Sequence, residues 1–239
     1  MKTRKKPVIG ITAEIDHHDD WRPPRLGYSL DATTCDAMGR MGATPIMLPC
    51  EIDAVDDYLD FCDGIIVSGG GYQFRVPQMF DFNGTEPPEK ERRFRFEAQL
   101  VQRCIERDKA TLGICGGFQV LNHVTGGKLI VALAESRAEW AGHLVIGARS
   151  TAHPVSPVSG TRFASIVGEK AFETNSLHRQ GVIETGPNAV VAGVAPDGII
   201  EAIEVASRRF VLGVQWHPEF LLSEPEQRLF SAFIDAARS

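Results

Sequence analysis

The stretch Thr111-Leu112-Gly113-Ile114-Cys115-Gly116-Gly117-Phe118-Gln119 changes character at its middle. Up to Ile114 it is a short apolar run of strand type. Beyond the glycines, Phe118, Val120, Leu121 and Val124 recur at helical spacing. Cys115 therefore stands on a sharp strand-to-helix turn. Such a turn pushes a side chain out past the sheet edge, a position that suits a nucleophile. About a hundred residues on, Val214-Gln215-Trp216-His217-Pro218-Glu219 supplies an imidazole and a carboxylate two positions apart. Residues i and i+2 of an extended chain face the same side, and Pro218 biases His217 towards extended geometry. The two segments hold the parts of a Cys-His-Glu catalytic unit.

Outward from the cysteine, strands and helices alternate. Val8–Thr12 reads as a first buried strand, Tyr28–Met41 as a helix ended by Gly42, and Thr44–Leu48 as a second strand stopped by Pro49. Asp53–Asp60 reads as a short helix, and Gly64–Val67 as a third strand running into Ser68-Gly69-Gly70-Gly71. The stretch from Tyr72 to Pro88 has little periodicity, and a loop of that length in a compact domain is usually functional or mobile. A helix from about Glu89 to Arg107 follows, with Phe96, Leu100, Val101, Cys104 and Ile105 on one stripe. This alternation predicts an α/β fold, a mostly parallel sheet with helices on both faces. After about Leu129 short strands carry turn signals at Ser159-Gly160, Gly186-Pro187 and Asp197-Gly198, the last a hairpin cue. Ser223-Glu224-Pro225-Glu226 forms a capping box for a final helix through Leu229, Phe230, Phe233 and Ile234. With no internal repeat and no linker, residues 1–239 are expected to form one domain.

Composition narrows the function classes. Hydrophobic content of 43% and charged content of 23% are globular values, and the core needs neither metal nor disulfide staples. A net charge of −6 argues against a nucleic-acid surface. No apolar run approaches the ~20 residues that span a bilayer. No signal peptide is visible either, since Pro7–Ile11 is too short an apolar run. The five cysteines, odd in number and without CxxC spacing, point to reduced thiols and a cytoplasmic setting. Cys35, Cys50, Cys62 and Cys104 read as small buried apolar residues.

The chemistry follows from the residue types. A thiol of pKa about 8.5 must be activated, here by the N-terminus of the helix it opens and by a nearby imidazole. His217 is the expected general base and Glu219 its orienting acid. The backbone N–H groups of Gly70 and Gly116 are the expected oxyanion donors, a contribution of roughly 3–4 kcal/mol each where measured. The glycine spacing matches neither dinucleotide nor P-loop patterns. His17-His18-Asp19-Asp20 reads as a solvated loop, not a metal site, and His123 as structural. Arg92, Arg93 and Arg95 read as a solvated helix face, from which one arginine could reach an acidic substrate.

These residues closely resemble the class I glutamine amidotransferase superfamily, and within it the peptidase C26 branch of γ-glutamyl-γ-aminobutyrate hydrolases, over nearly the whole chain. The likeness rests on Pro7–Thr12, Gly42-Ala43-Thr44-Pro45, Ser68–Gly71, Gly113–Gly117 with Gln119, Asn122 and Gly126-Gly127, Asn175-Ser176-Leu177-His178-Arg179-Gln180, Asp197–Glu204 and Gly213–Glu219. It departs from the branch at Gly116, often Arg there, at Tyr72, where Asp is common, and at Arg179, in place of a second His.

The resemblance implies a flavodoxin-like sheet and a hydrolase that opens a γ-glutamyl amide through a thioester. Gly69, Gly71, Gln119, Ser176, His178 and the 72–88 loop would contact a small γ-glutamyl substrate. It implies no metal or organic cofactor, no nucleic-acid or membrane partner, and room for a homodimer. A glutaminase subunit feeding ammonia to a synthetase, or a non-catalytic binder of γ-glutamyl compounds, stands as the alternative.

Overall fold

The computed structural model describes residues 6–18, 22–23, 25–70, 88–145, 147 and 149–238. Its strands and helices, in chain order, are β1 Val8–Thr12, β2 Glu14–His18, β3 Arg25–Ser29, α1 Ala32–Arg40, β4 Thr44–Leu48, α2 Val55–Phe61 and β5 Gly64–Val67. There follow α3 Pro88–Glu106, β6 Ala110–Ile114, α4 Gly116–Val124, β7 Lys128–Ile130, α5 Leu133–Ser136, β8 His153–Pro157, α6 Arg162–Val167 and β9 Phe172–Thr174. The chain closes with β10 Gly181–Glu184, β11 Val190–Val194, β12 Ile200–Glu204, β13 Val211–Val214 and α7 Glu224–Ala237.

One eleven-stranded sheet has the order β4-β1-β5-β6-β13-β12-β11-β8-β9, with β10 pairing β12 and β7 off that path. The first five of these strands run parallel. By order of appearance they are second, first, third, fourth and fifth, the flavodoxin-like arrangement. Antiparallel pairing extends the sheet from β13 outward. The β11–β12 hairpin turns at Asp197-Gly198, where Gly198 takes φ 87°.

Side chains alternate across the parallel strands, so the sheet sorts two cores. Ile65 and Val67 join Leu59, Phe96, Leu100, Val101, Phe118 and Leu121 on one face. Ile66, Ile9 and Ile11 join Met38, Phe163, Phe230, Phe233 and Ile234 on the other. Thus α2, α3 and α4 cover one face and α1, α6 and α7 the second. No helix among the described residues is long and apolar enough to cross a membrane.

Three expectations need correcting. The stretch expected as one helix over Tyr28–Met41 is split: Tyr28 lies in β3, which pairs with β2 as a separate two-stranded ribbon. The helix starts only at Ala32, because the Asp31 carboxylate caps it by accepting the Thr33 N–H at 2.7 Å. His17 and His18 belong to β2 and not to a loop. Asp19, Asp20, Gly71 and the 72–87 stretch lie outside the described residues. Lastly, Ser159-Gly160 leads from β8 into α6 and does not join two strands.

Candidate active site

In an open α/β sheet, ligands bind outside the carboxyl ends of the parallel strands. β1, β5, β6 and β13 deliver Thr12, Ser68-Gly69-Gly70, Cys115 and the Gln215–Glu219 segment to that edge. Cys115 follows β6 directly and caps α4 with φ 50° and ψ −102°. A non-glycine residue in that region is strained, and such strain is retained where the surroundings over-determine it. Here they do: Cys115 N–H donates to the Val214 carbonyl at 2.9 Å, and its own carbonyl accepts from Gln119 N–H at 3.2 Å. The residue remains 8% exposed.

The Cys115 side chain and the His217 ring both lie against Gly69 and interact electrostatically. His217 Nδ1 in turn lies 2.8 Å from Glu219 Oε1. Burial pulls the imidazole pKa down, but Cys115 and Glu219 push it up by more, leaving it well above the ordinary 6.5. The sequence expectation that His217 and Glu219 meet along an extended chain is not how the meeting occurs. A short 3₁₀ turn over Pro218–Phe220 carries Glu219 back to the ring. Asn175 fixes the backbone of His217 from the other side. Its amide donates to the His217 carbonyl and its Oδ1 accepts the His217 N–H, both at 2.9 Å.

The glycine loop closes over the same point. A Cβ on Gly69 would stand 3.0 Å from His217 Cε1 and 3.5 Å from Cys115 Cβ, so the loop, the thiol and the imidazole are in mutual contact. Gly70 sits against Arg93, where a Cβ would come within 2.0 Å of Nη1. Arg93 is 0% exposed, which overturns its place on a solvated face. Its Nε donates to Glu97 Oε1 at 3.0 Å, its Nη1 to Glu14, and its Nη2 to the Gly69 carbonyl at 3.0 Å and to Ser68. Arg92 and Arg95 are about half and two-thirds exposed, as expected of that helix face. In a planar trans peptide the carbonyl and the following N–H point opposite ways. Anchoring the Gly69 carbonyl therefore turns the Gly70 N–H away from the guanidinium. Glu97 also accepts from Thr12 Oγ1 at 2.6 Å, tying the ends of β1 and β5 to α3.

The Gly116 N–H is at the first turn of α4, where helix N–H groups lack intrahelical acceptors. Gln119, Ser176 and His178, expected at the substrate, are buried and bonded to interior partners. Gln119 Nε2 donates to Gln215 Oε1 at 3.0 Å, and Ser176 Oγ to the His143 carbonyl at 2.7 Å. His178 Nδ1 lies 2.7 Å from the Gln180 carbonyl, while its neighbour Arg179 is exposed. The structure thus sets these three side chains behind the His217 segment, giving them positioning contacts.

The remaining thiols are inert by environment. Burial pushes Cys50 and Cys104 up to about 12 and Cys62 to about 11. Cys35, expected to be buried, is only half-buried. His123 packs edge-on against Phe94, as a structural histidine does. Sequence reasoning missed Arg93 and the pinning role of Asn175. The apolar residues flanking Arg93, Phe94 and Phe96, were the one available signal that this face turns inward.

Residues 7–219 match the family model described as Peptidase C26. A provisionally named glutamine amidotransferase of Mycobacterium tuberculosis is 35% identical over 242 residues, covering 97% of this chain and 75% of that protein. The γ-glutamyl-γ-aminobutyrate hydrolase of Escherichia coli is 32% identical over 209 residues, covering 82% of each. Among solved structures, a provisionally named GMP synthase component of Thermoplasma acidophilum superimposes with a TM-score of 0.64 at 17% identity. The match covers 97% of this chain and 94% of that one, a likeness of fold.

Proposed function

Because the chain belongs to the Peptidase C26 family, we propose that it is a cysteine-dependent hydrolase of a small γ-glutamyl amine, γ-glutamyl-γ-aminobutyrate-like, that releases glutamate and the amine. The observation that carries this is the Cys115–His217–Glu219 chain of contacts, with Cys115 held at φ 50° on its strand-to-helix turn.

In the proposed reaction His217 takes the thiol proton and the Cys115 sulfur attacks the γ-carbonyl carbon. The oxyanion is received by the N–H groups of Gly70 and Gly116. As the C–N bond breaks, His217 returns its proton to the departing amine and a γ-glutamyl thioester remains. Water, deprotonated by the now neutral His217, attacks the thioester; glutamate leaves and the thiol is restored. Glu219 holds the Nδ1 proton throughout and stabilises the imidazolium. Gly69, Gly71 and the 72–88 loop are proposed to border the substrate.

The test is glutamate release from a panel of γ-glutamyl amines, glutamine included, with wild type and Cys115→Ala. Cys115-dependent turnover of one amide with glutamine untouched is the expected result. Turnover that survives in Cys115→Ala would sink the nucleophile assignment. A second reading, a glutaminase subunit serving a synthetase, is favoured by the amidotransferase name of the Mycobacterium relative. Ammonia release from glutamine only on addition of a partner protein would establish it instead.

A further inference from the structure

Behind the His217 segment, four side chains from distant parts of the chain converge on one point. His143 ends a 3₁₀ turn over Ala138–His143, His153 opens β8, His178 lies in the segment before β10, and Glu201 is in β12. His143 and His178 side chains are 2% exposed, Glu201 0% and His153 13%. One ligand-type atom from each lies within 4.8 Å of all the others.

The outward-facing nitrogens decide what the inward-facing ones are. His143 Nε2 is 2.8 Å from Asp197 Oδ2, His178 Nδ1 is 2.7 Å from the Gln180 carbonyl, and His153 Nδ1 is 3.3 Å from the Pro154 carbonyl. Carboxylate and carbonyl oxygens only accept, so each of these nitrogens carries its ring's hydrogen. In the neutral rings, His143 Nδ1, His153 Nε2 and His178 Nε2 then present lone pairs to one another and to Glu201. Four acceptors facing a common centre favour a cation there. A single added proton satisfies only part of the cluster: on His143 Nδ1 it meets Glu201 and His178, and His153 Nε2 is left without a donor. His153 Nε2 and both Glu201 oxygens have no hydrogen-bond partner among the described residues, a costly state for buried polar atoms.

The spacing of Glu201, His143 and His178 fits a metal ion, with His153 standing farther out. Ligands at about 2.0–2.1 Å from zinc in a tetrahedron stand about 3.3–3.4 Å apart. Glu201 Oε1 is 3.3 Å from His143 Nδ1, 3.4 Å from His178 Nε2 and 3.9 Å from His153 Nε2. Outer-shell acceptors on each imidazole are what orient metal-binding histidines. Three imidazoles with one carboxylate suit zinc or a related transition metal over magnesium or calcium.

We propose that His143, His153, His178 and Glu201 form a binding site for one divalent transition-metal ion, zinc in class, that is structural. Four protein ligands close a tetrahedron and leave no position for substrate. The ion would tie β8, β12 and the 175–180 segment together directly behind the catalytic histidine. The Glu201 backbone carbonyl accepts the Gln215 N–H at 2.8 Å, and Asn175 pins the His217 backbone. The site stands whether or not the proposed hydrolase activity is correct.

Metal-stripped full-length Cys115→Ser protein, which removes the competing active-site thiol, is titrated with Co(II) and then Zn(II). The expected result is uptake of one equivalent, tetrahedral d–d bands without a thiolate charge-transfer band, displacement by Zn(II), and a Tm rise that saturates at one equivalent. His153→Gln, the mildest change, should weaken Zn(II) binding by more than the roughly 10–100-fold that loss of an outer-shell partner costs. Asp197→Asn should fall within that range. No uptake by folded protein, octahedral Co(II) bands, or uptake unchanged in His153→Gln would each overturn the proposal. Should Glu201→Gln fail to fold, the Co(II) spectrum and His153→Gln still decide.

Discussion

Replacing Arg93 by Met should damage both stability and turnover, by separable routes. The guanidinium is fully buried and its Nε holds Glu97, which is itself 0% exposed. Removing one member of a buried pair leaves an uncompensated charge and costs about 3–5 kcal/mol. For a chain of this size each kcal/mol moves Tm by roughly 2–4 °C, so Tm should fall by roughly 6–20 °C. Arg93 also holds the Ser68 and Gly69 carbonyls that orient the Gly70 N–H. Loss of one oxyanion donor costs about 10²–10³ in kcat, and turnover of the proposed γ-glutamyl amide substrate should fall by that order. Arg93→Met/Glu97→Met removes the stranded charge, since an apolar replacement of a buried pair is often neutral. Glu14 keeps its bond from Lys90 at 3.0 Å. The double variant should therefore regain most of the lost Tm while its kcat stays low. Urea or thermal melts and steady-state kinetics on the two variants read both effects, with Arg95→Met, two-thirds exposed, as a surface control within ±0.5 kcal/mol or so. Wild-type turnover in the stable double variant would refute the loop-orienting role. An unchanged Tm in Arg93→Met would refute the buried ion pair.

Gly117→Ala should be poorly tolerated although alanine favours helices, because its Cβ would come within 2.1 Å of the Val67 carbonyl oxygen; a Tm equal to wild type would show that α4 and β5 can part freely. Asn175→Ala strands the His217 N–H and carbonyl at a cost of about 1–3 kcal/mol, and kcat should drop about tenfold or more with KM little changed; a pure KM effect would contradict that assignment. Glu226 gives a pH signature. Burial raises its carboxyl to about 7 from the ordinary 4.5, the capping N–H groups of Ser223 and Leu222 pulling it partly back and Glu219 adding to the rise. The folded state then binds more protons than the unfolded between those values, so stability falls as pH rises from about 4.5 to about 7, by about 3 kcal/mol at most. In Glu226→Gln this slope should vanish; melts at pH 5 and pH 8 that differ as much as those of wild type would contradict the shift.

What the sequence determined by itself was local. The short apolar run Leu112–Ile114 ending in Cys-Gly-Gly reads as a strand breaking into a helix. Asp197-Gly198 between apolar alternations can only be a tight hairpin, and His-Pro-Glu keeps imidazole and carboxylate within reach. From these the parallel core and the proposed Cys-His-Glu trio are legible. Tyr28 is a strand residue because β3 is held by β2, a pairing partner the local pattern does not name, while the Asp31 cap is a helix-start signal the sequence does carry. What only the tertiary structure decided was which polar residues turn inward. Arg93 lies one position from Arg92 and two from Arg95, both in water, and nothing in its neighbours' charge distinguishes it. Its burial follows from the side of α3 that meets the ends of β1 and β5. His143, His153, His178 and Glu201 span 58 positions and share no spacing rule. Their convergence is set by antiparallel register across β12, β11, β8 and β9 and by the turn that returns residue 143 to the sheet. Long-range pairing places side chains in three dimensions, and the linear chain carries no record of that distance.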